Sequence, residues 1–435
     1  MTRSAAPALR YYAQPGALTD LGAHAASLRD LPHDLAGLCR VVQGLLVHPF
    51  LGHLYGLDSK EMRHDELETR AAVRMVDRIL ALDSSPLAQA RAPERRLVGN
   101  CRHFTVLLCA LLRARGVASR ARCGFAAWFD RSNFTDHWVC EVWDEARGSW
   151  VLVDAQLDRE QRKAFGIAFD PLDVPRTEFL VGGDAWQRCR SEGADPNAFG
   201  IMDLRGLWFV RGDVVRDLAA LAKRELLPWD GWGLMVDRHE SDARELALLD
   251  RVAALTLAGD EQHAERLAIQ ASDPGLRVPR EVINFNLGGA KVELPPGVAN
   301  EARALEELFA AVAAWAEVEP TIAAVALVGS HARGEARPDS AVDLVVLCDD
   351  VDAFAAEPRW IQRFGAPSRH ALERWGAVSS IRVWYATGLE VEFGFTAPSW
   401  AAAPLDAGTR RVVTDGLRVV FDRNGILNGL SLSRA

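Results

Sequence analysis

The sequence lacks long apolar runs, paired-cysteine spacing and any excess of positive charge. Its longest apolar stretches, such as "FTVLLCALL" at 104–112, fall far short of the ~20 residues that cross a bilayer, so no membrane association is expected. The seven cysteines (Cys39, Cys101, Cys109, Cys123, Cys140, Cys189 and Cys348) are scattered, odd in number and follow neither a CxxC nor a metal-finger pattern. No charged segment leads into an apolar one at the start, so the expectation is a cytoplasmic protein with reduced thiols. Fifty Lys and Arg against 59 Asp and Glu leave a net charge of −9, so no global footprint for nucleic acid is indicated. What remains is a globular mixture, 49% apolar and 25% charged, in a 435-residue chain too long for one ordinary core. Two or three domains are expected.

Residues 1–30 are rich in Ala and Pro. From about 35 to 82 the pattern is helical, with apolar spacings of three and four in "ELETRAAVRMVDRILAL". A further amphipathic helix is predicted over 101–115, with Gly116 placed to end it. The period then changes. "SRARCGFAAWF", "DHWVCEVWD" and "SWVLVDAQL" read as strands, the last two joined by the turn "EARGS". Helical patterns return at 205–225 and 241–270. The stretch 271–300 holds four Pro and four Gly and is read as the boundary region, dividing the chain into 1–283 and 284–435. Beyond it come a helix near 300–317 and strands at 322–328, 342–348, 379–386 and 389–395. The fold class is α+β.

Cys101 stands at the start of a predicted helix, where unpaired N–H groups and the helix dipole favour a thiolate. His137 lies on one predicted strand and Asp154 at the end of the next. If those strands form a hairpin, imidazole and carboxylate come close, and a helix packed on the sheet brings the thiol to them. Taken singly, these are an ordinary buried cysteine, a strand histidine and a turn aspartate. Together, in this order, they are the nucleophile, base and orienting group of acyl transfer. Asp136 and Gln156 are adjacent candidates for accessory roles.

The stretch 97–158 resembles the transglutaminase-like core: G-x-C at a helix start, "LLRARGV" leading into a strand, then H-x-W-x-x-x-x-W and W-V-x-V-D. Gly99, Cys101, Gly116, His137, Trp138, Trp150 and Asp154 occupy those places. The resemblance implies a papain-like fold, here with helical elaborations, and cofactor-free thiol acyl chemistry, whether cross-linking, deamidation or hydrolysis.

The second chemical pattern is "LVGSHARGEARPDSAVDLVVL" at 327–347. A strand ending in Gly329-Ser330 lets backbone N–H groups approach a triphosphate, and Arg333 and Gly334 continue the turn. On the next strand, positions 341 and 343 share one face, where two carboxylates would hold metal ions on nucleotide phosphates. "GLEVEFGF" offers Glu392, with Glu390 two positions before it. Residues 300–422 resemble the nucleotidyltransferase superfamily, pattern G-S-x-A-R-G followed by S-D-x-D-L. The resemblance implies a small α/β fold with a mixed sheet. It also implies Mg²⁺ and NTP, ATP above others, as cofactor and substrate. Gly329, Ser330, Arg333, Gly334 and Ser340 would be nucleotide-binding, and Asp343 and Glu392 metal ligands. The departure is Ala341, where the family has a carboxylate; Asp339 lies on the same alternation but in the turn. Either the site carries an inactivating substitution or this half is a non-catalytic nucleotide- or partner-binding regulator.

The expectation is a two-domain enzyme: Cys–His–Asp acyl transfer or amide hydrolysis on an unknown protein or small-molecule substrate, fused to an impaired transfer of a nucleoside monophosphate to a hydroxyl. The shared chain raises intramolecular regulation of one half by the other, as in a fused toxin–antitoxin-like pair.

Overall fold

The structure, a computed structural model, describes residues 5–295, 301–333, 336, 340–356, 358–365, 367–375, 378–385, 389–428 and 430. The chain forms two compact units, Met1–Asn300 and Glu301–Ala435. Both mix helices and strands.

The first unit is organised by the helix Cys101–Arg113 and a sheet. Asn100 caps the helix: its side chain accepts from the His103 backbone, and the His103 ring accepts the Asn100 N–H at 3.2 Å. This reciprocal cap satisfies two of the donors that a helix start leaves open. Every residue of the helix is buried. The helix stops at Arg113, and Gly116 takes the left-handed conformation (φ 72°) that turns the chain into the next strand.

The sheet runs in the order 179–181, 119–126, 134–144, 199–201, 204–205, with Ser149–Val153 also paired to Phe134–Asp144. Residues 145–148 make the hairpin turn, so the strand carrying His137 lies beside the strand that ends at Val153, with Cys140 opposite Val153. Gly124 pairs with His137 and approaches the next strand so closely that a Cβ there would meet the Leu180 carbonyl oxygen at 2.1 Å.

Buried ions lock this sheet to its helices. Glu141 receives Arg120 at 2.6 Å, Arg122 at 2.8 Å and Arg176 at 2.7 Å. Arg122 also binds Asp217, on the helix Leu207–Leu221, at 2.8 Å. Arg113 binds Glu225 at 2.7 Å with both side chains fully buried. Burial alone would raise the Glu141 carboxyl, but the three guanidiniums hold it well below the usual carboxylate range.

Three expectations are corrected here. The helical pattern at 241–270 is two helices, Ala243–Leu257 and His263–Ser272. The buried Arg266 fills the break by donating to the carbonyls of Leu255, Ala258 and Gly259. The boundary at 283/284 cuts an antiparallel hairpin, Glu281–Asn284 with Ala290–Glu293, whose first strand also pairs with Asp230–Gly231. That hairpin therefore belongs to the first unit. The stretch 35–82 is interrupted too, with helices at Leu35–Leu45 and Ala72–Leu82 and short 3₁₀ turns between them.

Among the described residues of the second unit, six strands run in the order 367–375, 378–385, 390–396, 342–348, 322–328, 418–422. Val342–Cys348 pairs parallel with Glu390–Thr396 and antiparallel with Ile322–Val328, so the sheet is mixed. The helix Glu301–Val318 contributes Leu308, Val312 and Trp315 to this unit's core. Among the described residues, no helix is long and apolar enough to cross a membrane.

Removing one partner of a buried ion cluster leaves uncompensated charge. Glu141→Gln is expected to lower the unfolding free energy of the first unit by about 3–5 kcal/mol, read as a reduced urea midpoint by tryptophan fluorescence. A loss below about 1 kcal/mol, the scale of a surface pair, would mean that the cluster does not hold the sheet.

Candidate active sites

In the first unit, His137 is the hub. Its Nε2–H donates to Asp154 Oδ2 at 2.8 Å, with both side chains buried. The Cys101 side chain lies close enough to the ring to interact with it electrostatically. Because Nε2 serves the carboxylate, the nitrogen left for sulfur is Nδ1. Asp154 is fixed in turn: Oδ1 accepts the Gln156 backbone N–H at 2.8 Å, and its own N–H donates to the Pro171 carbonyl at 2.8 Å. Trp128 and Phe129 meet the imidazole edge-on, with ring centroids 5.4 and 5.0 Å away. The structure thus brings together Cys101 at the first position of its helix, His137 in mid-strand and Asp154 one residue past the neighbouring strand.

Burial works against a charged imidazole, yet the Asp154 carboxylate and its hydrogen bond, with Cys101 adding to them, push His137 up to about 10. At neutral pH the ring is an imidazolium beside the sulfur. That is the charge partner a thiolate nucleophile needs and the proton source a leaving amine needs.

Asp136 faces a different group. One ligating atom each from Cys123, Asp136 and Asp213 lie within 4.8 Å of one another. Arg216 binds Asp213 at 3.0 Å, and burial raises Asp136 to about 6. Beside Asp154 a cavity of about 490 Å³ is lined by Arg40, Arg96, Arg159 and Arg162 as well as by Asp158 and Asp170. Its size is that of a small-ligand or side-chain recess.

His48 carried no signal in the sequence, being a lone histidine in "VHPF". It follows the short strand Leu46–Val47, which pairs parallel with Leu97–Val98, two residues short of Cys101. Burial, then the charge of His137, push His48 down to about 3.

In the second unit, Gly329 ends its strand at φ 70° and opens the short helix Gly329–Arg333, which holds Ser330 and Arg333. A Cβ on Gly329 would lie 2.1 Å from Asp343 Oδ2, so only glycine lets the backbone pass this carboxylate. Asp343 pairs with Val328 on one side and, in parallel register, with Glu392 on the other. Ser340 and Ala341 precede the strand Val342–Cys348. Gly334 and Asp339 lie outside the described residues.

Burial first, then the neighbouring Glu392, raise Asp343 to about 6. Arg382, which the sequence did not suggest, binds Glu392 at 2.5 Å and Glu390 at 2.7 Å and lies 3.6 Å from Glu373. A long-range guanidinium has no motif, and only its place opposite Glu392 on the adjoining strand reveals it. These donors do not fit a two-metal set. Asp343 and Glu392 converge, but Arg382 engages Glu392 and Ala341 offers only a methyl.

Residues 76–155 match the family model of the transglutaminase-like superfamily, and residues 302–373 match that of streptomycin adenylyltransferase. The chain therefore joins two classes, a transglutaminase-like domain and a nucleotidyltransferase-type domain. No curated protein matches it. Among solved structures, an aminoglycoside 6-adenyltransferase from Bacillus subtilis aligns at 13% identity with a TM-score of 0.18. That alignment covers 22% of this chain and 35% of the other.

A group whose folded pKa is raised contributes stability that is complete below its unfolded value and is lost as pH rises through the folded value. For His137 the window runs from 6.5 to about 10. The melting temperature of the first unit is expected to fall across that window. Asp154→Asn is expected to remove this decline and to melt lower at pH 6.5; parallel melting curves for the two proteins would refute the assignment.

Proposed function

We propose that the first unit performs acyl transfer or amide hydrolysis through Cys101, His137 and Asp154. The observation that carries this reading is one buried imidazole hydrogen-bonded to the Asp154 carboxylate and close to the Cys101 side chain at the helix start. The sulfur attacks an amide carbonyl, and a C–S bond forms as the carbonyl electron pair moves onto oxygen. The Cys101 N–H, which meets no acceptor among the described residues, faces the developing charge. Collapse breaks the C–N bond, and the His137 imidazolium gives its proton to the leaving amine. Water or a second amine then resolves the thioester. Asp154 holds the ring orientation and balances its charge throughout.

For the second unit, the reading is a nucleotide-binding domain of nucleotidyltransferase type whose transfer of a nucleoside monophosphate to a protein or small-molecule hydroxyl is impaired by Ala341. The supporting observation is the methyl at 341 where the family has a carboxylate, with Glu392 beside Asp343 engaged by Arg382. The same observation favours a second reading, a non-catalytic nucleotide- or partner-binding regulator of the cysteine unit.

With p-nitrophenyl acetate as acyl donor, Cys101→Ala is expected to reduce the acylation rate by about 10⁴-fold. An unchanged rate would remove Cys101 from the chemistry. For the second unit, intact mass is measured after incubation with Mg²⁺ and each NTP, on the unaltered chain and on Ala341→Asp. A gain of one nucleoside monophosphate in Ala341→Asp alone is expected. ATP binding without a gain in either protein would favour the regulator.

A further inference from the structure

The acyl-transfer reading leaves one requirement unmet. A tetrahedral oxyanion is held by at least two donors in most such sites, and a single backbone N–H is a weak hold. The second donor should lie against the segment that delivers the nucleophile, carry a fixed proton and have no protein partner for it.

His48 meets these conditions. The Gly99 N–H donates to the Val47 carbonyl at 3.1 Å, which extends the parallel pairing of Val47 with Val98 and sets His48 alongside the residues that lead into Cys101. The Phe50 backbone N–H donates to His48 Nδ1 at 3.2 Å. Nδ1 is therefore an acceptor, and the proton of the neutral ring sits on Nε2. Among the described residues Nε2–H has no acceptor, and it is not one of the buried unpaired atoms, so it is open to an incoming group. Pro49 directly after His48 and the edge-on Phe50 ring, 5.4 Å between centroids, restrict the imidazole. Burial first, then the neighbouring charge of His137, disfavour a second proton on His48, so the ring stays a neutral donor while His137 is the acid.

We propose that His48 is a further catalytic residue, its Nε2–H donating to the carbonyl oxygen of the acyl substrate as that oxygen becomes an anion. This assignment rests on the acyl-transfer reading of Cys101. It divides labour between two histidines of opposite ionisation: His137 charged and moving a proton, His48 neutral and holding one.

The test uses the full chain and two small probes that need Cys101 in different ways. Iodoacetamide alkylates sulfur by displacing iodide, with no oxyanion. p-Nitrophenyl acetate acylates it: the C–S bond forms, the carbonyl pair moves to oxygen, and collapse expels p-nitrophenolate without needing an acid. In His48→Ala, alkylation of Cys101 is expected to stay within about twofold, while acylation falls about 10²-fold. His48→Gln, which restores a side-chain N–H donor, is expected to recover part of that loss and guards against a folding defect in His48→Ala. Equal falls in both rates would overturn the proposal, because His48 would then act on the thiol itself; so would no fall in either. If the unaltered chain shows no Cys101-dependent acylation while alkylation is normal, the acyl-transfer reading fails and this assignment falls with it. Loss of acylation confined to His48→Ala separates the two cases.

Discussion

Everything in the first unit serves one buried contact, the hydrogen bond between the His137 imidazole and the Asp154 carboxylate. A charged pair inside a protein is costly unless its remaining valences are satisfied. The fold satisfies them in a definite order. The hairpin 145–148 aligns the two strands, the Gln156 N–H fills the second carboxylate oxygen, and aromatic edges close off the ring. The capped helix then has one free variable, the position of its first residue, and the Asn100–His103 cap fixes it so that Cys101 comes beside the imidazole. The Glu141 and Arg122 ions stiffen the same sheet only a few residues along the histidine strand.

The Cys, His and Asp positions were legible because each is tied to a local rule: a nucleophile at a helix start, a histidine in a Val- and Trp-rich strand, an aspartate at a strand end. The strands at 322–328, 342–348, 379–386 and 389–395 were read within a residue, because most of their positions are apolar or β-branched; the strands Pro367–Trp375 and Arg418–Asp422, with more polar sequences, were not read. What was not legible depends on distant partners. The break at 258–262 is set by Arg266 capping the preceding helix and by Asp260 receiving Arg120 and the Trp150 indole N–H, none of which leaves a periodic trace. His48 and Arg382 were missed for the same reason, since each matters only through a neighbour far away in sequence. The hairpin 281–293 lies in a stretch whose Pro and Gly content marked it only as the boundary region.

The second unit shows how far a site keeps its shape when its charge is altered. Gly329 still bends past Asp343, and Glu392 still stands in register with it. The electrostatic balance is different. With a methyl at 341, Arg382 still engages Glu390 and Glu392 and lies near Glu373, and Asp343 is left with a carboxyl that burial and Glu392 make reluctant to ionise. Such a site has less of the negative field that draws divalent cations to phosphates.

The hairpin Glu281–Asn284 and Ala290–Glu293 also governs how the chain can be divided. A cut at 283/284 would strip one strand from the three-stranded sheet that includes Asp230–Gly231 and leave its unpaired N–H and C=O groups as an open edge, a template for pairing between molecules. A first unit expressed that way would gather into insoluble material for reasons unconnected with its chemistry, and the second would begin with half a hairpin. A cut beyond Glu293 spares both. The placement of two strands thus decides whether an experiment on the separated halves reports on catalysis or on aggregation.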